Sequence, residues 1–289
     1  MTRSFPPVEP GPLDEQEGQS FSRLVALMRR LRAPEGCPWD REQTFASLRK
    51  YVIEEAFEVV DAIDGGDLGA LREELGDLLL QVVFQSELGR AAGAFGPDDV
   101  IAGIVDKMVR RHPHVFGDET VAGAAEVHRN WEAIKAREKG SRGLLEGVPR
   151  ALPALVRAQR VGEKVSRVGF DWPDTGGSRA KVAEELGELD RAVASGDQAA
   201  IAEELGDVLF ALVNLARHVD VDAEAALRQT IEKFGARFAH VEARVRERHG
   251  RWPSDPDDGG PGRGVTLEEM DGYWEEAKRA SASSREPAR

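Results

Sequence analysis

A chain of 289 residues with 52 acidic against 39 basic side chains carries a formal charge of -13 and is 41% hydrophobic. That balance supports globular domains and argues against a general binder of nucleic-acid backbones, whose affinity rests on dense Lys and Arg. No run reaches the roughly 18 apolar residues of a membrane span, Met1 to Ser20 does not read as a signal peptide, and the single Cys37 excludes a disulfide framework or a thiolate-rich zinc site, so the expected location is the cytoplasm.

The first eighteen residues read as disordered. A helix is predicted over 20–33, with Arg29, Arg30 and Arg32 at a solvated end or against another subunit, and Cys37 beside Pro38 and Trp39 reads as packing. A helical hairpin follows. Its first helix carries Glu54, Glu55 and Glu58, Gly66 closes it, Asp67 caps the second helix, and that helix carries Glu73, Glu74 and Asp77. Leu68, Leu71, Leu75, Leu78, Leu79 and Val82 are spaced as a buried stripe of the second helix.

Helices at 97–112 and 125–139 come next. His112 and His114 resemble a ligand pair, but Pro113 between them breaks helical spacing, so a structural role is expected. A linker is placed at 141–152 and a helix at 152–165. The hairpin is then written again: Glu184, Glu185, Glu188, Glu203, Glu204 and Asp207 repeat the first set, each 130 residues on, as 184 is from 54. Such register is the mark of a duplication. Gly196 and Asp197 repeat the turn, and Ile201, Leu205, Val208, Leu209 and Leu212 repeat the stripe.

Helices at 222–249 and 266–280 complete the chain, the last opened by a Thr266–Glu269 capping box. Ser254 to Gly264 and the tail after Ala280 read as mobile. No β pattern competes, so the class is all-α: two tandem helical-bundle domains, 19–140 and 153–281, with 1–18 and 282–289 disordered. Gly76 and Gly206 lie inside helices at a cost of about 1 kcal/mol each. Close helix approach is the favoured reason, and room for a metal or phosphate is the other.

Residues three or four apart share a helix face, so Glu55, Glu58, Glu74 and Asp77 can converge, as can Glu185, Glu188, Glu204 and Asp207. Acidic residues at this spacing often only solvate a face. Here both copies keep them while exposed neighbours diverge, Val60 to Asp190 and Asp61 to Arg191. Clustered carboxylates repel one another unless cations bridge them, and hard oxygen donors suit Mg²⁺, or Mn²⁺. A diiron centre is disfavoured, because neither hairpin offers Glu-x-x-His.

Glu-Glu-x-x-Glu followed by Glu-x-x-Asp on paired helices resembles the all-α nucleoside triphosphate pyrophosphohydrolases, and the tandem arrangement resembles the MazG family. Gly36-Cys37-Pro38-Trp39-Asp40, Gln43-Thr44-Phe45, Arg111 to Phe116, Val168 to Trp172 and Asn214 to His218 carry the likeness over about residues 20 to 280. The resemblance implies hydrolysis between the α and β phosphates, with Mg²⁺ on the four carboxylates and Glu203 orienting or deprotonating the water. It gives Lys233, Arg237 and Lys278 as phosphate contacts, whereas Trp274 either stacks on the base or packs. In the first half Lys107, Arg111, Trp131 and Lys135 match these, Glu73 matches Glu203, and no erosion is visible. The C-terminal half is expected to be the main centre. The resemblance implies a homodimer, while pairing of the two halves is the other way to bury the hairpins' apolar stripes. A narrower hydrolase or sensor, for dUTP or a guanosine alarmone, and a non-catalytic scaffold are the alternatives.

Overall fold

The computed structural model describes residues 18, 20–139, 143–250 and 265–283; the expected disordered start apart from Gly18, the Ser254 to Gly264 segment and residues 284–289 lie outside them, whereas residues 281–283 of the expected mobile tail continue the last helix. Among the described residues all regular structure is helical, and the chain divides into two compact units, Met1–Gly140 and Ser141–Arg289.

The first unit contains α1 (Phe21–Arg32), α2 (Pro38–Glu42), α3 (Phe45–Gly65), α4 (Leu68–Ala91), α5 (Pro97–Arg111), α6 (Pro113–Phe116) and α7 (Ala124–Lys139). Thr44 and Ser47 form a reciprocal capping box that opens α3. Gly66 ends it at φ 69°, a left-handed position that favours glycine. The Asp67 carboxylate then accepts from the backbone N–H groups of Gly69 and Ala70, capping α4. Gly66 and Asp67 fix where the hairpin turns and therefore which acids face each other. Pro38 and Pro113 start the short α2 and α6, which periodicity did not predict because each is under two turns long.

The core of this unit is Val25 and Met28 from α1, Leu48 from α3, and Val83, Phe84 and Leu88 from α4. Met28, Leu48 and Val83 are at most 1% exposed, each contributing about 1.5–3 kcal/mol on burial. The predicted stripe of α4 is not the buried one. Leu68, Leu75, Leu79 and Val82 are exposed, while Gln81, Val83, Phe84 and Glu87 turn inward toward α1. The buried Glu87 carboxylate takes the Nε groups of Arg29, at 3.1 Å, and Arg90, at 2.8 Å. Arg29 is thus a counter-ion to a buried acid, and Arg32 donates to the Asp40 carbonyl. The arginine run is therefore no simple solvated end.

The second unit contains α8 (Ala154–Ser166), α9 (Thr175–Ser195), α10 (Gln198–His218), α11 (Ala223–His249) and α12 (Leu267–Ser283). Gly196, at φ 73°, and Asp197 repeat the hairpin turn. α8 packs on α10, α11 packs on both, and α12 lies along α11, its Tyr273 buried with Val241 and Val245. Of the repeated stripe only Val208 is buried; Leu205, Leu209 and Leu212 are exposed. Thr266 accepts from the Glu269 backbone as a cap should. The Glu269 carboxylate, however, meets His249 of α11 and accepts from the Tyr273 hydroxyl one turn on in α12 rather than closing a box.

Candidate active site

On α9, Lys181, Glu185 and Glu188 follow at steps of four and three residues and share a face, as Glu204 and Asp207 do on α10. The hairpin brings one carboxylate oxygen each from Glu185, Glu188 and Glu204 within 4.8 Å of one another. Glu185 is buried, at 5% exposure, and Glu188 and Glu204 are half-buried. Asp207 is near enough for its charge to act on Glu204, and the exposed Glu203 adds its own. Partial burial pushes the Glu204 carboxyl above the ordinary range, and the charges of Glu188, Glu185, Asp207 and Glu203 push it further.

The first unit repeats the cluster with Glu55, Glu58 and Glu74 within the same 4.8 Å, and Asp77 acts on both Glu55 and Glu74. Partial burial again leads the upward push on Glu55 and Glu74, followed by like charge, including that of Glu73 on Glu74. Both donor sets consist of carboxylate oxygen alone and repel themselves, which fits a hard divalent cation. One difference is internal charge. In the second unit the Lys181 Nζ lies 2.8 Å from Glu185 and 3.0 Å from Glu184; the corresponding residue of the first unit is Tyr51.

Beside Glu185 and Asp207 a cavity of roughly 490 Å³ opens between α8, α9 and α10. Its walls include Val165, Phe170, Trp172, Phe210 and Asn214. Trp172 lies over the start of α9, where a Cβ on Gly177 would come within 2.2 Å of the indole. Gly162 of α8 leaves room for Arg217, and a Cβ there would stand 3.3 Å from its Nε. Arg217 donates to Asp171 at 2.6 Å and to Asn214 Oδ1 at 2.7 and 3.0 Å, while His218 lies 2.9 Å from the same Asp171 oxygen. The Arg217 hydrogen bond leads in holding the Asp171 carboxyl below its usual range.

The matching positions in the first unit are packed. Phe84 stands where Asn214 does, 130 residues earlier, and is 3% exposed; Tyr51 and Leu80, matching Lys181 and Phe210, pack against the same core.

The expected substrate contacts of the second unit are on α11 and α12, outside the lining of this cavity. Lys233 on α11 is exposed, Arg237 sits 5.8 Å over the Trp274 ring, and its Nε is buried without a hydrogen bond among the described residues. Trp274 is half-buried, 4.9 Å from Phe234 and packed against Val241, Val245 and Tyr273, while Lys278 pairs with Glu275 at 2.7 Å. In the first unit Arg111 is held by Glu138 at 2.6 Å, Lys107 is half-buried, and Lys135 lies 6.0 Å over Trp131. Trp131 in turn packs 5.7 Å from His112, whose Nδ1 meets the Met108 carbonyl at 2.7 Å. The histidine pair is thus built into packing. Gly76 and Gly206 correct the favoured reading of their role: a Cβ at either would meet nothing within 4 Å, so no helix approaches closely there.

Lys181, Asp171, Asn214 and Arg217 were assigned no role from sequence. The signal available was the divergence of the copies at Tyr51 and Lys181 and at Phe84 and Asn214, inside an otherwise matching frame.

The family model of the MazG nucleotide pyrophosphohydrolase domain matches twice, over residues 43–116 and 177–242, each time across one acidic hairpin. The chain is 46% identical over 265 residues to a nucleoside triphosphate pyrophosphohydrolase of Escherichia coli, covering 90% of this chain and 97% of that one. It is also 43% identical over 266 residues to a nucleoside triphosphate pyrophosphohydrolase/pyrophosphatase MazG of Thermotoga maritima, covering 91% and 98%. The chain belongs to the MazG family. As a MazG-family protein it is a hydrolase of the nucleotide pyrophosphohydrolase class, with two such domains in tandem. α8 and the 168–172 loop, which build half of the cavity, precede the second match. Among the described residues no helix is long and apolar enough to cross a membrane.

Proposed function

We propose that the chain hydrolyses nucleoside triphosphates to the monophosphate and pyrophosphate at the Glu185, Glu188, Glu204 and Asp207 cluster, with Mg²⁺ as the cation and Mn²⁺ as a substitute. The observation that carries this reading is the convergence of three α9 and α10 carboxylates within 4.8 Å. The names of the Escherichia coli and Thermotoga maritima relatives support the activity. When bound, the cation offsets polyphosphate charge and draws electron density from the phosphorus under attack. Glu203, exposed beside Glu204 on α10, orients the attacking water and takes its proton. The water oxygen bonds to phosphorus, the α–β anhydride bond breaks, and the β and γ phosphates leave as pyrophosphate. Lys233, Arg237 and Lys278 offer the protein's own positive charge to that leaving group.

The second unit is the main centre in this reading, since the space beside its acids is open whereas Phe84 and Tyr51 fill the matching region of the first. Glu55, Glu58, Glu74 and Asp77 hold metal as a secondary site. The exposed Leu75, Leu79, Val82, Leu205, Leu209 and Leu212 are the surface through which two copies form a homodimer. The role is cytoplasmic housekeeping of the nucleotide pool.

The test is detection of pyrophosphate against orthophosphate from the eight common triphosphates, with and without Mg²⁺. Pyrophosphate and monophosphate in equal amounts, only with a divalent cation, is the expected result. Activity on dUTP alone would narrow the substrate, and no release from any of them, with a guanosine alarmone also inert, would leave a non-catalytic scaffold.

A further inference from the structure

We infer that the cavity between α8, α9 and α10 is the nucleoside pocket of the second unit, and that Asn214 reads the edge of the base. This deepens the proposed function and rests on it. The cavity shares Glu185 and Asp207 with the acidic cluster, so a ligand whose phosphates sit at the carboxylates has its remaining portion next to the cavity mouth.

The walls select what enters. Val165, Phe170, Trp172 and Phe210 give an apolar, largely aromatic surface suited to a flat heterocycle, and roughly 490 Å³ falls within the range of small-ligand pockets. The cations on the wall are engaged, Lys181 by Glu184 and Glu185 and Arg217 by Asp171, so this end is a poor place for phosphate. Phe170, 79% exposed, and Trp172, 39% exposed, gain burial when a base enters beside them.

Recognition follows from hydrogen-bond arithmetic. A guanidinium only donates, so the two bonds from Arg217 fix the Asn214 amide with its Oδ1 toward Arg217. The Nδ2 hydrogens are then what Asn214 offers a ligand, and they require an acceptor, a ring nitrogen or exocyclic carbonyl of the base. Asp171 positions this arrangement through Arg217. In the first unit the 130-residue repeat places Phe84 at the Asn214 position, and no such donor exists.

The experiment compares binding of two probes by calorimetry with Mg²⁺ present: the best nucleoside triphosphate substrate and inorganic triphosphate, which has no base. Asn214→Phe copies the first unit's residue. It is expected to weaken nucleotide binding more than tenfold and to change inorganic triphosphate binding less than twofold. Asn214→Ala is expected to weaken nucleotide binding roughly tenfold, the value of one hydrogen bond to a buried partner. If Asn214→Phe does not fold, judged by its melting transition, Asn214→Ala decides. Nucleotide binding unchanged in a folded variant, or both probes weakened alike, would overturn the pocket. Wild-type chain that binds nucleotide but releases no pyrophosphate would sink the catalytic reading and leave the pocket standing.

Discussion

Lys181 lies one turn before Glu185 on α9, and its Nζ stands 2.8 Å from the Glu185 carboxylate and 3.0 Å from that of Glu184. The hydrogen bond to Glu185 leads in pushing the ammonium above its ordinary range. Solvent screens the Lys181 side of this pair, but the Glu185 side chain is only 7% exposed, so loss of the lysine leaves a buried carboxylate without its counter-ion. Lys181→Met should therefore lower the melting temperature without metal by about 2–4 °C. Because the cluster then lacks its internal cation, Mg²⁺ should raise the melting temperature more in the variant than in the wild type. Differential scanning fluorimetry with and without Mg²⁺ reads both, and an equal or smaller shift in the variant contradicts this role.

The acids should make that metal effect depend on pH. Glu204 and Glu74 titrate above their ordinary value, first through partial burial and then through like charge. A raised carboxyl favours the fold below the ordinary value, and that contribution is lost as pH rises through the raised one. Metal binding needs the ionised form and restores what repulsion removes. The Mg²⁺-induced rise in melting temperature should be several degrees near about pH 8 at saturating metal and fade toward about pH 4.5. A shift independent of pH across that window would show that these carboxylates are not the ligands.

Gly206 sits inside α10 with nothing within 4 Å of where an added methyl group would stand, so helix propensity alone should govern its effect on stability. Gly206→Ala is expected to stabilise by about 0.5–1 kcal/mol, raising the melting temperature by roughly 2–4 °C. If the glycine keeps space for metal or phosphate, the same variant loses pyrophosphate release while gaining stability. A more stable variant with undiminished rate would leave the glycine without a part in catalysis.

Asp171 holds Arg217 and, through it, Asn214. Its carboxyl is depressed chiefly by the Arg217 hydrogen bond, so its contribution is present above the ordinary aspartate value and lost as pH falls through the lower, folded one. Asp171→Asn should cost about 1 kcal/mol near neutral pH and raise KM for nucleotides more than it lowers kcat. Equal loss in kcat at unchanged KM would place the residue in the chemistry instead.

The hairpins and their acids were legible because three independent signals coincided there: helical spacing, the Gly66–Asp67 and Gly196–Asp197 turns, and the fixed offset between copies. Each is local, so a linear string carries it. Which apolar residues face inward was less legible. α4 is apolar on more than one side, and only the position of α1 decides that Phe84 is buried while Leu79 is not. The cavity was the least legible feature, because Asp171 and Arg217 are 46 residues apart and neither belongs to a periodic pattern. The divergence of Phe84 from Asn214 has meaning only once both are seen to occupy one position against the neighbouring helix.

In the proposed scheme the α9–α10 acids carry hydrolysis and the α3–α4 acids do not. Pyrophosphate release by Glu204→Gln and by Glu74→Gln, measured side by side under saturating Mg²⁺ and nucleotide, tests this most directly. Removing one carboxylate of a catalytic metal set should lower the rate by about 100-fold or more for Glu204→Gln, while Glu74→Gln keeps most of the wild-type rate. A Glu204→Gln enzyme that retains most of its activity, or a Glu74→Gln enzyme that loses it, would contradict the assignment.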